Sequence, residues 1–371
     1  MTILHVLEPF ATGTTTAVIS ITRELTDCDH IVIHGCRNLT ENAEKVKQRF
    51  PPEVAFVEWK HAGREISLVK DWKALRSLEK ILKPFAKQDP KRAASVVVHL
   101  HSSKAGFLGR LACRRLGIKK VIYTPHCGAF LRTDISNTKR RLYRFLEKIG
   151  GSFGGRVVGC GPSEGKLYEK LGKNTTYVSN GVEIKKEKFS LFGNRQKNRN
   201  LIAFSGIASL QKDPALWNAV AAACAASVRE AGFSFCWIGD GPEINKLDNG
   251  IITVTGWKSP EEVDELLDKT AIYFSASAWE GLPYGALEAM NSGCALLLRN
   301  VPGNRDLVVP GENGWLFNTR DEAIDRLTQM IKDRSHLAAM GKMGRKIAEQ
   351  GFTLKQMGDG YRQIYSGFSK R

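Results

Sequence analysis

Short runs rich in valine and isoleucine recur along this chain at intervals filled by stretches of helix length, and that alternation restricts the fold more than any other feature. In the first half the runs are TILHVL, HIVIHG, VAFVEW, SVVVHLH, VIYTPH and RVVGCG, with helical stretches at 17–25, 70–86, 104–116 and 138–149. The second half repeats the style with NLIAFSG, FSFCWIGDG, IITVTGW, AIYFSAS and CALLLRN around stretches at 214–231, 260–268 and 283–291, followed by a helical tail. Strands separated by helices of ten or more residues imply βαβ units around a parallel sheet. The 371 residues exceed the size at which one core keeps growing. The pattern therefore predicts an α/β chain of two Rossmann-like, doubly wound domains.

Between the halves lies EIKKEKFSLFGNRQKNRN (183–200), polar, basic and poor in aliphatic residues. It reads as a linker, which puts the boundary near residues 185–199 and the domains at 1–185 and 200–371. The terminal helix is a candidate to pack back on the first domain. In open α/β sheets ligands collect at the carboxyl ends of strands, so two such domains facing each other are expected to border one cleft.

Charge separates the halves. Residues 1–185 hold 32 Lys and Arg against 17 Asp and Glu, whereas the remainder is nearly balanced. A basic first half attracts a polyanion or an anionic membrane surface. A nucleic-acid protein would add aromatic platforms on a basic stripe or a recognisable motif, and neither is present. No apolar run reaches the ~18 residues of a membrane-spanning helix, and MTILHVLEPF leads directly into a strand pattern, so a cytoplasmic protein is expected. The eight cysteines are scattered without a C-x-x-C pair, which favours free thiols over disulfides or zinc.

The chemistry concentrates in AWEGLPYGALEAMNSG (278–293). The strand AIYFSAS ends just before it, Pro283 suits the first helical position and Gly293 the helix stop. That places Glu280 in the strand-to-helix loop and Glu288 on the helix. Backbone N–H groups at Gly281, Leu282 and Tyr284 would then point out of the helix start and offer a diphosphate site, to which Pro283 adds nothing. Glu280 can accept hydrogen bonds from sugar hydroxyls and Glu288 from the two hydroxyls of a ribose. As an isolated pair the two glutamates would read first as a capping acid and a solvated surface residue.

The whole string resembles the Glu-x7-Glu element of the retaining GT-B glycosyltransferases of glycosyltransferase family 4. NVPGNRDLVVPGENGWLF (300–317), FCWIGDGPE (235–243) and TVTGW (253–257) resemble the strands and loops around it. HLHSSKAGFLGRLACRRLG (99–117) and YTPHCGAFLRTDIS (123–136) resemble polysaccharide and O-antigen members of that family. The resemblance spans nearly the full chain. It implies a GT-B architecture, transfer of a hexose or N-acetylhexosamine from a nucleotide diphosphate sugar, a UDP-sugar by family weight, to a lipid-linked or oligosaccharide acceptor with retention of configuration, and use in cell-surface polysaccharide assembly.

It also implies roles residue by residue. His126 contacts the donor sugar near the reacting carbon, and Glu280 acts beside it in catalysis. Lys212, in FSGIASLQKDP, neutralises the diphosphate together with an Arg directly after the glycine, but that position holds Ile207. Arg132, Arg299 and Arg305 are the substitutes to consider. Gly13 and Thr14 lie between the first strand and helix, where the family has two glycines, and a plain turn capped by threonine is the competing reading. The uracil is placed at the Trp257 loop. His99 and His101 read as structural, or at most as acceptor-side groups.

No clustered His/Cys set suggests a metal, and Asp240 in GDG reads as a turn residue. A metal-independent enzyme without cofactors, resistant to EDTA, is expected. On the acceptor side, NTKRRLYRFLEKIG (137–150) gives a helix bearing Lys139, Arg140, Arg141, Arg144 and Lys148. Taken alone this reads first as a surface helix whose apolar face is core, but the basic first half favours contact with an anionic bilayer or a lipid-diphosphate-linked acceptor. A nucleotide-sugar epimerase of the same architecture is the alternative enzyme.

Overall fold

The computed structural model describes residues 1–35, 43–63, 66–86, 95–172, 174–184, 199–247 and 250–368. Apart from Arg199, the expected boundary at 185–199 lies outside the described residues. Two compact units form: Met1–Leu131 with Ile135–Asn180 and Leu354–Arg371, and Arg132–Asp134 with Gly181–Thr353.

In the first unit β1 (Thr2–Leu7), β2 (Asp29–His34), β3 (Ala55–Glu58), β4 (Val96–His101), β5 (Val121–Thr124), β6 (Arg156–Gly159) and β7 (Thr175–Tyr177) form one sheet in the order β3-β2-β1-β4-β5-β6-β7. Each described pairing is parallel. The crossovers contain α1 (Thr12–Glu24), α2 (Ala43–Lys47), α3 (Leu68–Ala86), α4 (Ser102–Leu116), α5 (Asn137–Ser152) and α6 (Pro162–Glu169). Strands covered on both faces are buried on both and largely apolar; β4 is buried at every residue, His99 and His101 included. Leu4, Val6, Val98, Leu100 and Tyr123 meet Trp59, which directly follows β3, and Leu78 and Ala112 from the covering helices in the main core.

The second unit repeats the plan. β8 (Leu201–Ser205), β9 (Ser234–Ile238), β10 (Ile252–Val254), β11 (Thr270–Ser275), β12 (Ala295–Arg299) and β13 (Gly314–Phe317) pair in the order β10-β9-β8-β11-β12-β13. Around them lie α7 (Pro214–Glu230), α8 (Pro260–Asp268), α9 (Tyr284–Asn291), α10 (Arg320–Met330) and α11 (Arg334–Gly351). The last helix, α12 (Leu354–Ser366), belongs to the first unit and packs on α1, where Gly358 lets the Glu24 side chain approach. In both sheets the strand order reverses beside the first strand, at β1/β4 and β8/β11, and loops diverge there at the carboxyl ends.

Two local expectations change. The first helix begins at Thr12 rather than near residue 17, so Gly13 and Thr14 form its first turn instead of the loop before it. Ala11 is the cap residue and no threonine side chain caps the helix; Thr15 reaches back to the Pro9 carbonyl oxygen at 3.4 Å. Pro283 is likewise the residue before α9, extended at φ −75° and ψ 123°, and the helix proper starts at Tyr284. Lacking an N–H, proline loses no hydrogen bond at either position. Among the described residues the cysteines are free, and no helix is long and apolar enough to cross a membrane.

A buried ion pair ties α5 to α4. Arg110 and Glu147 lie 3.3 Å apart, Tyr123 donates to the same carboxylate at 2.8 Å, and the guanidinium stacks over the Tyr123 ring. A Cβ at Gly150 would sit 2.5 Å from Arg110 Nη2, so glycine makes room for the pair. Removing one member strands the other charge, at about 3–5 kcal/mol. Arg110→Ala is therefore expected to lower the denaturation midpoint far more than the joint change Arg110→Met with Glu147→Leu. Equal losses in urea titrations of the two variants would refute that assignment.

Candidate active site

In the second unit the candidate residues lie on the loops that leave β8 and β11. Asp213, in the left-handed region at φ 50°, caps α7 by accepting from Leu216 N–H. Directly before it, Lys212 places Nζ 2.5 Å from Oε1 of Glu280, in the loop after β11. Gln211 joins the same loops: its amide donates to the Trp279 carbonyl oxygen at 3.0 Å and to Glu280 Oε2 at 3.4 Å, and its own carbonyl accepts from Ala278 N–H at 2.8 Å. The Glu280 side chain is only 6% exposed. A carboxylate so placed needs a cation, and Lys212 is that cation.

Glu280 leads into α9. Gly281 and Leu282 are buried, while Tyr284 and Glu288 are half-buried on the helix. A Cβ at Gly285 would lie 2.5 Å from the Tyr273 hydroxyl and 2.8 Å from Ser205 Oγ, so glycine lets the first turn press on the ends of β8 and β11. The Tyr273 phenol is shifted upward, by burial first and further by the carboxylates of Glu288 and Glu280. Lys212, Glu280 and Glu288 therefore gather around one strand-end region. Behind it, the buried guanidinium of Arg199 donates to the carbonyl oxygens of Ser292, Gly293 and Thr270, and buried Arg345 donates to that of Asn291. Two cations thus complement the carboxyl end of the helix.

A loop from β12 braces the same turn. Gly303 has φ 83°, and a Cβ there would clash with the Gly281 carbonyl oxygen, far inside van der Waals contact. Gly303→Ala combines left-handed strain with a backbone clash, about 2–4 kcal/mol together. It is expected to lower the melting temperature; an unchanged midpoint in calorimetry would show that the loop does not brace this turn.

Of the arginines considered for the cation missing at Ile207, Arg299 stands beside Lys212: its guanidinium donates to Asp213 Oδ2 at 3.0 Å and to the Ala276 carbonyl oxygen at 3.3 Å. Arg305 is held by Asn300, and Arg132 by Asp134. Ile207 packs toward the GDG turn, its Cγ2 lying 2.9 Å from where a Cβ on Gly241 would be. Asp240 accepts from the Gly241 N–H at 2.6 Å, a turn contact as expected of it. Trp257 stands half exposed beyond β10, directly after Gly256, which bridges to Gly239.

In the first unit His126 follows β5 and Pro125. It and Cys127 are both in the left-handed region, at φ 50° and 78°, a conformation that non-glycine residues hold only when surroundings enforce it. The enforcing group is Glu164 of α6, which accepts from Cys127 N–H at 2.6 Å and Cys160 N–H at 2.8 Å. Burial pushes its carboxyl up while the two amides oppose that shift. Burial also lowers the His126 imidazolium to about 3, so the ring is neutral near pH 7. Glu164 and Gln211 escaped sequence reasoning, because neither carries a spacing signal.

The absence of a clustered His set, expected from spacing, is corrected by the fold: β1 and β4 bring nitrogen atoms of His5, His99 and His101 within 4.8 Å of one another. Their nitrogens are already used, however. His99 bonds the Tyr365 hydroxyl at 2.7 Å and Thr124 at 2.8 Å, and His101 lies between His5 and His126. On α5, Lys139, Arg141, Arg144 and Lys148 are exposed together with Leu142 (46%) and Phe145 (58%), while Arg140 folds back to the Phe130 carbonyl oxygen. Its apolar positions are thus split between core and surface. Leu68, Val69 and Trp72 at the start of α3 are exposed as well, which the sequence did not suggest.

Family models match both units: "Glycosyl transferase 4-like domain" over residues 12–181 and "Glycosyl transferases group 1" over 185–347. The Escherichia coli protein UDP-Gal:alpha-D-GlcNAc-diphosphoundecaprenol alpha-1,3-galactosyltransferase is 30% identical over 329 residues, covering 81% of this chain and 81% of its own. Among solved structures, sucrose-phosphate synthase from Thermosynechococcus elongatus superposes with a TM-score of 0.76 at 14% identity, covering 99% of this chain and 100% of that one. Anabaena HepE in complex with UDP and glucose gives 0.74 at 16% identity, with 99% and 100% covered. At these identities the two structures speak for the fold alone.

Proposed function

This chain belongs to the group 1 glycosyl transferases and has their GT-B fold, and we propose that it is a retaining, metal-independent enzyme moving a hexose or N-acetylhexosamine from a UDP-sugar to a lipid-diphosphate-linked acceptor. The observation that carries this reading is the Lys212–Glu280 pair at the start of α9. A sugar diphosphate brings two negative charges and several hydroxyls. Lys212 with the amides after Glu280 suits the first, and the carboxylates of Glu280 and Glu288 suit the second. Arg299 takes the place of the cation missing at Ile207, and Trp257 offers an exposed ring for the base. His126 is assigned to the donor sugar. The lipid-diphosphate acceptor is supported by the Escherichia coli relative, whose name states one, and by the basic first half.

In the reaction the bond from the anomeric carbon to the phosphate oxygen breaks, and its electrons leave with UDP. The acceptor hydroxyl attacks the same face and its proton passes to the departing phosphate oxygen, so no protein nucleophile is needed. Lys212 and Arg299 stabilise the charge that develops on the leaving group. Purified protein given UDP-hexoses and a short polyprenyl-diphosphate-linked sugar is expected to form an α-linked product, by NMR, at an EDTA-insensitive rate. An inverted anomer or loss of rate in EDTA would reject the mechanism, and an epimer formed from donor alone would reject transfer. The exposed basic and apolar side chains of α5 suit an anionic bilayer; vesicles containing phosphatidylglycerol should float the protein at low salt.

A further inference from the structure

Four histidines of the first unit form a continuous hydrogen-bonded line. His30 Nε2 lies 2.9 Å from the Leu25 carbonyl oxygen, and His5 Nε2 lies 3.1 Å from His30 Nδ1. His101 Nε2 lies 3.1 Å from His5 Nδ1, and His126 Nε2 lies 3.0 Å from His101 Nδ1. His5, His30 and His101 are buried on β1, β2 and β4. Only at Leu25 is the direction of a bond fixed by chemistry, because a carbonyl oxygen can accept and never donate. His30 must therefore carry its proton on Nε2. A neutral ring with one N–H then offers Nδ1 as acceptor, so His5 must donate from Nε2, and the same step repeats at His101 and at His126.

We propose that this line is a tautomer lock: the Leu25 carbonyl, acting through His30, His5 and His101 as positioning residues, holds His126 with its proton on Nε2 and its Nδ1 open as an acceptor. Among the described residues no partner is present for that Nδ1. It can take a hydrogen from a hydroxyl and is repelled by a phosphate or carbonyl oxygen, which selects a sugar hydroxyl as the group His126 meets. The line is also closed at its inner end, since the carbonyl cannot accept a transferred proton; it orients and does not conduct. Burial keeps the rings neutral, which the argument requires. A metal held by His5, His99 and His101 is the competing use of the same side chains, but it would displace one of the two bonds of His99, to Tyr365 or to Thr124.

The sugar-facing role of His126 rests on the function proposed above, whereas the lock is testable without substrate. In the full-length protein with 15N-labelled histidine, NMR should show Nε2–H on His30, His5, His101 and His126, with couplings across the N–H···N bonds that join them. His30→Leu removes the fixed end and allows the line to reverse, so the His126 Nε2–H signal should be lost to Nδ1–H. If that variant does not fold, the wild-type spectrum decides alone. Nδ1–H on His101 or His126 in the wild-type protein, missing couplings, or a stoichiometric divalent metal in the purified protein overturns the lock. Failure of the transfer assay with these signals intact would instead count against the assigned function.

Discussion

Acidification from about pH 7.5 to about pH 5 is expected to unfold the first unit while the second keeps its structure. Seven of the eight histidines, all but His336, lie in the first unit. His5, His99 and His101 are fully buried and their pKa values are held well below the ordinary range by that burial; His126 falls to about 3, and His30 and His34 are also lowered. In the unfolded chain each ring takes a proton near pH 6.5. Below that pH the unfolded state binds more protons than the folded one, so stability present above about pH 6.5 is lost as pH falls. Each ring kept neutral down to about pH 5 costs on the order of 2 kcal/mol over this interval. The three fully buried rings together approach the total stability of many domains, about 5–15 kcal/mol. Glu164, with its raised pKa, works in the opposite sense but is a single group. Five of the seven tryptophans lie in the second unit. Far-UV circular dichroism should therefore fall between about pH 6.5 and pH 5 while most tryptophan emission persists. A thermal midpoint unchanged across that range would contradict the buried neutral rings.

The same histidines show where sequence reading stops. The alternation of Val-rich runs and helical stretches yields the two parallel sheets because a period of two or of 3.6 is local information. The Lys212 and Glu280 loops are legible for a related reason: each follows directly on a strand, and strand ends in this topology face ligands. His5 and His30, by contrast, look like any strand residues. They join His101 in one line only through register, with His30 opposite Ile3 across β1 and β2, and His5 opposite His99 and Leu7 opposite His101 across β1 and β4. Arg199 is a second case. Its surroundings in the sequence are those of a linker, yet its guanidinium is buried against the carboxyl end of α9. Composition predicts solvent for such a segment, while the unpaired carbonyls of a distant helix supply the partner. The placement of Gly13 and Thr14 changes for another reason: helix starts without a side-chain cap leave no mark in the sequence, so the first turn of α1 reads as loop.

The pairing of Lys212 with Glu280 makes the two substitutions unequal, and this is the sharpest test of the site. Glu280→Ala removes a buried carboxylate and leaves an ammonium that is 21% exposed and can be solvated. Little stability should be lost. Transfer, however, loses the group proposed to hold the donor sugar, and a drop of about 10²–10³ in kcat is expected, the scale seen when one group organised around the transition state is removed. Lys212→Ala is expected to do more harm. It strips the diphosphate of a cation and also leaves Glu280, 6% exposed, without its counter-charge. The cost of that isolated carboxylate is about 3 kcal/mol or more, so the melting temperature should fall along with turnover and donor affinity. In the double variant no charge is stranded, and stability should return toward the wild-type value while activity stays low. That combination, recovery of stability without recovery of rate, separates a catalytic pair from a structural salt bridge. If Lys212→Ala and Glu280→Ala instead lower stability equally and leave kcat within about twofold of wild type, the pair only fastens two loops and the sugar diphosphate must bind elsewhere.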